Sequence, residues 1–185
     1  MCLERVQEDV RESAELVLDW KSYLLRPYPE PKPLEAFRRY TESWRRPAAQ
    51  VDAGEFRVWA TDEAPLSHSI PPAIAVKAAA RQGAFERFHL ALMNAYFARN
   101  LDVTSLSNIA RVARECDLDF ARFAADCDDP ELGRQVIAEH NEAVELGISG
   151  APCVVLDGGF QLPGSQDRAV YCNIVQRLLA RQGTP

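Results

Sequence analysis

Gly147-Ile148-Ser149-Gly150-Ala151-Pro152-Cys153-Val154-Val155-Leu156-Asp157-Gly158-Gly159-Phe160 runs from a helix stop through a proline into a hairpin. The glycine at 147 closes a helix in the left-handed conformation that lacks a Cβ penalty. A short loop then delivers Pro152 directly into an apolar run, and Asp157-Gly158 turns that run back on itself as a hairpin. Proline has no N–H, so it is kept out of strands except where it opens one. A proline at such a junction is a position where a cis X-Pro bond is useful. The spacing predicts strands at Cys153 to Leu156 and around Phe160 to Leu162. A last helix is expected from Pro163-Gly164-Ser165 to Leu179.

Upstream, Leu3, Val6 and Val10 share one face of a helix over Leu3 to Glu12. Leu16, Leu18 and Trp20 alternate with Val17, Asp19 and Lys21, which predicts a strand over Leu16 to Tyr23. Pro27, Pro29, Pro31 and Pro33 form a rigid spacer that is neither helix nor central strand. A short helix is expected from Leu34 to Arg46, ending before Pro47, and Val51 to Ala64 reads as an irregular connection. Pro71 to Gln82 is a helix with proline in its first turn and a stop at Gly83. Phe85, Phe88, Leu92 and Tyr96 recur at helical steps. Thr104 or Ser105 can cap the next helix, and Asp129-Pro130 opens another with a capping acid. Leu132, Val136, Ile137 and Val144 are expected to line its inner face.

This order, with the Gly-Ile-Ser-Gly-Ala-Pro phrase, resembles the DsbA-like thioredoxin-fold proteins, especially their FrnE-type branch. Ala84 to Phe97, Leu101 to Thr104 and Ala110 to Asp119 look like that family's helical insertion, and Trp20 to Pro27 like its second strand and exit. The resemblance runs from about Leu3 to Leu179. It implies an α/β thioredoxin-like fold with thioredoxin-like parts over about 1–64 and 148–185 and a helical insertion over about 65–147. The family places a first strand and a Cys-x-x-Cys motif ahead of the first helix, and neither occurs in these 185 residues. Without that strand, Leu16 to Leu24 loses its main pairing partner. An upstream start, a neighbouring chain or a rearranged fold would each account for it, and an upstream start is the expectation. An open sheet edge invites pairing with another chain, so a homo-oligomer is among the expected assemblies.

The resemblance implies dithiol–disulfide exchange on proteins or small thiols such as glutathione, with the chain catalytically incomplete as written. Gly150, Ala151, Pro152 and Cys153 would meet an extended substrate, Ala151 offering its N–H and C=O. Cys153 is either a resolving thiol or substrate contact, or a buried strand residue. His68, in Pro65-Leu66-Ser67-His68-Ser69-Ile70-Pro71-Pro72, is either a proton carrier beside the cleft or a surface or capping histidine. His89 and His140 read as ordinary helix positions. Two alternatives stand: a glutathione-dependent isomerase or transferase of the chromene-carboxylate isomerase or kappa type, and a redox-inactive binding module using the proline groove.

The five cysteines, Cys2, Cys116, Cys127, Cys153 and Cys172, include no Cys-x-x-Cys pair. Thiol exchange needs a nucleophile and a nearby resolving thiol, so no catalytic residue is assigned. Cys116 and Cys127 lack the paired spacing of a zinc site, and neither metal nor cofactor is expected. A net charge of −6 argues against a nucleic-acid partner. No run has the apolar length of a membrane span. The charged, amphipathic start is unlike a secretory signal. A cytoplasmic location is therefore expected.

Overall fold

Alanine sets the architecture of the largest part of the molecule. The helix Ile70–Ala80 reads IPPAIAVKAAA and buries Ala75, Ala78 and Ala79, small residues that let several helices approach it closely. We describe a computed structural model of the chain over residues 2–12, 15–49, 54–156 and 159–182. Its elements are α1 (Cys2–Val10), α2 (Leu34–Thr41), α3 (Arg45–Ala48), α4 (Ile70–Ala80), α5 (Phe85–Phe97), α6 (Leu106–Glu115), α7 (Phe120–Cys127), α8 (Pro130–Glu145), β1 (Cys153–Leu156), β2 (Phe160–Pro163) and α9 (Arg168–Gln182). Two compact units result, residues 21–145 and residues 1–20 with 146–185.

In the first unit, α4 packs on α5, α6, α7 and α8. Phe88, Val112, Phe123 and Leu132 close that core. A second cluster joins Phe37, Trp44 and Trp59. Thr41 is fully buried between them, its hydroxyl donating to the Arg38 carbonyl at 2.8 Å and accepting the Trp59 N–H at 3.0 Å. Pro47 does not end the helix ahead of it. A 3₁₀ turn over Glu42–Trp44 resets the chain, and Pro47 falls inside the four-residue α3, where a missing N–H is not required by the helix. On α8, Leu132 and Val136 are buried as expected, but Ile137 and Val144 are exposed. The apolar face is narrower than the sequence pattern suggested. Ser105 stands at the N-cap of α6 without a side-chain cap bond, its hydroxyl turned to Ser107. Asp129 does cap α8, accepting the Glu131 N–H at 2.9 Å.

Asn100 fastens the irregular segment 54–64 to the end of α5. It is 5% exposed with φ of +53°. Its Oδ1 accepts the Ala60 N–H at 3.0 Å and its Nδ2 donates to the Arg57 carbonyl at 3.3 Å. Asn100→Ala removes the side-chain partners of two partly buried main-chain groups and strains a left-handed residue, so a loss of about 2 kcal/mol is expected. Asn100→Gly keeps the conformation and should lose about 1 kcal/mol less. Urea unfolding of the two variants reads the difference; equal losses would refute the conformational part.

The segment from Leu16 to Tyr23 is not a strand, and it does not join the sheet, which among the described residues is β1 paired with β2. Its main chain is held by side chains instead of a ladder. Gln7 Nε2 donates to the Leu16 carbonyl at 2.7 Å. The Ser22 N–H donates to the Glu139 carboxylate at 2.7 Å, the Leu24 N–H to His140 Nδ1 at 3.2 Å, and the Arg26 N–H to Ser69 Oγ at 3.0 Å. Alternation supplies a strand with faces, but a strand also needs a neighbour for its backbone.

In the second unit, α1 packs on α9. Val6 and Val10 are buried, as are Tyr171 and Val175. Arg168 pairs with Asp9 across these helices. The hydrogen bond from Arg168 is the main cause that holds the Asp9 carboxyl below its usual range. Helix α9 starts later than Pro163, because Pro163 pairs with Cys153 in the hairpin and Gly164 turns the chain at φ of +75°.

Candidate substrate-binding site

Gly147 ends the helical run with φ of +77°, and residues 148–152 carry the chain to β1. The Ala151–Pro152 peptide bond is cis. β1 and β2 are antiparallel, with Cys153 opposite Pro163, Val154 opposite Leu162, Val155 opposite Gln161 and Leu156 opposite Phe160. The Gly164 N–H donates to the Pro152 carbonyl at 2.9 Å, extending the pairing one step past a proline that cannot donate. In that register the main-chain groups of Val154 and Leu156 face β2, and those of Cys153 and Val155 face the other edge. The expected Asp157-Gly158 turn lies outside the described residues.

Side chains brace the loop from both sides. Gln161 Nε2 donates to the Leu146 carbonyl at 2.7 Å. Gln166 Nε2 donates to the Pro163 carbonyl at 2.9 Å. Ala151 and Pro152 are exposed, while Gly150 and Cys153 are half-buried. Among the described residues no hydrogen bond is made to the Ala151 main chain. Gly150, Ala151, Pro152 and Cys153 thus present one short, braced, solvent-facing stretch of backbone with a thiol at its end. His68 belongs to the other compact unit. It is half-buried between Ser67, whose carbonyl accepts the Glu30 N–H at 3.2 Å, and Ser69, whose N–H donates to the Arg26 carbonyl at 2.8 Å.

The other thiols sit in settings that suppress reactivity. Burial, the largest cause, pushes the Cys116 thiol up, and the thiol lies 3.9 Å from the Arg87 carbonyl. Burial, with Asp128 and Asp126 beside it, pushes Cys127 up to about 11. A protonated thiol is a poor nucleophile. Cys172 donates to the Asp9 carboxylate at 3.4 Å. The side chain of Cys2 lies outside those described. No group of three metal-ligating side chains gathers among the described residues.

Two histidines read as ordinary differ from each other. His89 stacks on Phe85 at 5.6 Å, and burial lowers its pKa. His140 is a structural acceptor for Leu24, with the Tyr23 ring edge-on at 5.1 Å. Sequence reasoning missed this role, and that of Glu139 beside it. The available signal was a polar pair, Glu139 and His140, in the middle of a helix whose apolar residues alone do not cover its inner face.

The family model for the DSBA-like thioredoxin domain matches residues 3–174. The chain belongs to this family. Among curated proteins, the ClpXP adapter protein SpxH of Bacillus subtilis (strain 168) is 25% identical over 153 residues, covering 78% of this chain and 51% of SpxH. The chain thus spans about half the length of that relative. A solved candidate protein disulfide isomerase from Nitrosomonas europaea is 17% identical with a TM-score of 0.77, covering 98% of this chain and 92% of its own. The cytosolic disulfide reductase DsbM of Pseudomonas aeruginosa, solved with GSH, is 17% identical with a TM-score of 0.66, covering 98% and 91%. These two likenesses are of fold. No helix among the described residues is long and apolar enough to cross a membrane.

Proposed function

We propose that this chain supplies the substrate-binding loop of a thiol–disulfide oxidoreductase. Gly150, Ala151, Pro152 and Cys153 hold an extended thiol substrate, either a protein segment or a glutathione-like small thiol. The observation that carries this reading is the exposed Ala151 main chain beside the cis Pro152. A braced backbone with a free donor and acceptor recognises an extended peptide by main-chain hydrogen bonds, the mode of strand addition. Glutathione in the DsbM structure makes a small thiol a natural first ligand to try. A cytosolic setting, that of DsbM, fits thiols kept free of disulfides.

The test is a ¹H–¹⁵N titration with reduced glutathione. Amide shifts should concentrate at Gly150, Ala151 and Cys153. Ala151→Pro removes one donor and should weaken binding about tenfold, the equivalent of about 1.4 kcal/mol. Shifts that leave residues 150–153 untouched would refute the loop's role.

A second reading is favoured by one observation, the relation to an adapter protein. In that reading the same loop binds a protein partner without thiol exchange. Binding of a serine-substituted peptide as tightly as its cysteine parent would select it.

A further inference from the structure

The loop from Gly147 to Pro152 carries the site, yet it holds itself weakly. Among the described residues, the main chain of residues 148–151 makes no hydrogen bond. Its position is set at its two ends. At the start, the Leu146 carbonyl accepts Gln161 Nε2 at 2.7 Å. At the finish, the Pro152 carbonyl accepts the Gly164 N–H at 2.9 Å. Gln161 lies in β2 and Gly164 directly follows it, so one strand fixes the span of the whole loop.

The two anchors differ in kind. The Gly164 bond joins main chain to main chain and continues the hairpin register, in which Cys153 stands opposite Pro163. The Leu146 bond hangs on a single side chain. Side chains alternate between the faces of a strand. Gln161 therefore shares a face of the hairpin with Val155, its partner in the register, and with Cys153 and Pro163. Its neighbours Phe160 and Leu162 project to the opposite face. The Gln161 amide thus draws the start of the loop toward the face that bears the Cys153 thiol. A loop pinned at both ends samples fewer conformations, and less ordering is left to accomplish when a ligand arrives.

We propose that Gln161 is a positioning residue, a role that rests on residues 150–153 being the substrate loop. Its amide holds residues 147–152 in the form that presents the Ala151 N–H and C=O together. Releasing the Leu146 end populates conformers that cannot bind, and the apparent affinity falls with the fraction of chains left competent. The worth of one such hydrogen bond sets that fall at about fivefold.

The test compares the parent chain, Gln161→Met and Gln161→Lys, each titrated with reduced glutathione and followed by ¹H–¹⁵N spectra. Methionine has a similar reach but no donor, and lysine restores a donor. Gln161→Met should weaken binding about fivefold and lower the heteronuclear NOE of the Gly150 and Ala151 amides in the ligand-free chain. Gln161→Lys should recover most of both, with a circular dichroism melt confirming that each variant is folded. Equal losses in the two variants would assign the glutamine to packing and overturn the proposal. So would weaker binding with an unchanged NOE, since the loop would then be ordered without Gln161. A parent that binds glutathione at residues 150–153 no more tightly than Gln161→Met overturns the positioning role alone. A parent with no shifts at residues 150–153 overturns the substrate loop and the positioning role together.

Discussion

Insulin disulfides incubated with the 185-residue chain and dithiothreitol should be reduced within about twofold of the protein-free rate, because catalysis of exchange needs an attacking and a resolving thiol in reach of each other. The structure removes the candidates one by one. Cys116 and Cys127 are raised by burial. Cys172 is spent on the Asp9 carboxylate. Cys153 is free and half-buried at the head of β1, yet no sequence neighbour can resolve a mixed disulfide formed there. The remaining route joins Cys2 to Cys153, which would require Cα atoms within about 7 Å. Turbidity of insulin, followed for the parent chain, Cys2→Ser and Cys153→Ser, separates the cases. Rapid turnover lost in both variants would overturn the expectation and establish a split two-cysteine centre.

The part of the fold legible in the sequence is the part written in local chemistry. Gly147, Pro152 and the alternation after it specify a helix stop, a loop and a hairpin from steric rules alone, and the structure has them. The same holds for α4, whose prolines sit in the first turn, and for α8 behind its Asp129 cap. What failed was non-local. Leu16 to Tyr23 has the right alternation for a strand, but hydrogen-bond partners cannot be read from a pattern of faces, and its backbone went to Gln7, Glu139 and His140. Pro47 misled because a 3₁₀ turn can shift the helical register under it. Ile137 and Val144 misled because helical periodicity marks a face without saying how wide its cover is. Of the candidate site, the contiguous residues 150–153 came together by chain connectivity.

Glu139→Gln is expected to destabilise the chain by about 3 kcal/mol at neutral pH, the lower end for breaking a buried ion pair. Lys77 and Glu139 pair across α4 and α8 with side chains 12% and 13% exposed. The carboxylate also accepts the Ser22 N–H at 2.7 Å and Gln135 Nε2 at 3.1 Å. Glutamine can replace some of these contacts but takes away the carboxylate charge that faces the Lys77 ammonium. Burial is the largest single influence on Glu139 and raises its pKa. The hydrogen bonds from Lys77 and Ser22, with the Lys77 charge, outweigh it and hold the carboxyl below the ordinary glutamate value. The sign of the pH dependence follows. A group whose pKa is depressed by folding contributes stability that is complete above its unfolded pKa, about 4.3, and is lost as pH falls through the folded value. Urea midpoints measured from pH 7 down to pH 3 should therefore fall more steeply for the parent than for Glu139→Gln, and the two should converge at the acid end. Parallel curves would show that the pair does not carry this linkage. Lys77→Met with Glu139→Leu replaces both charges by apolar groups and should recover most of the loss, because removing one member of a buried pair costs more than replacing both.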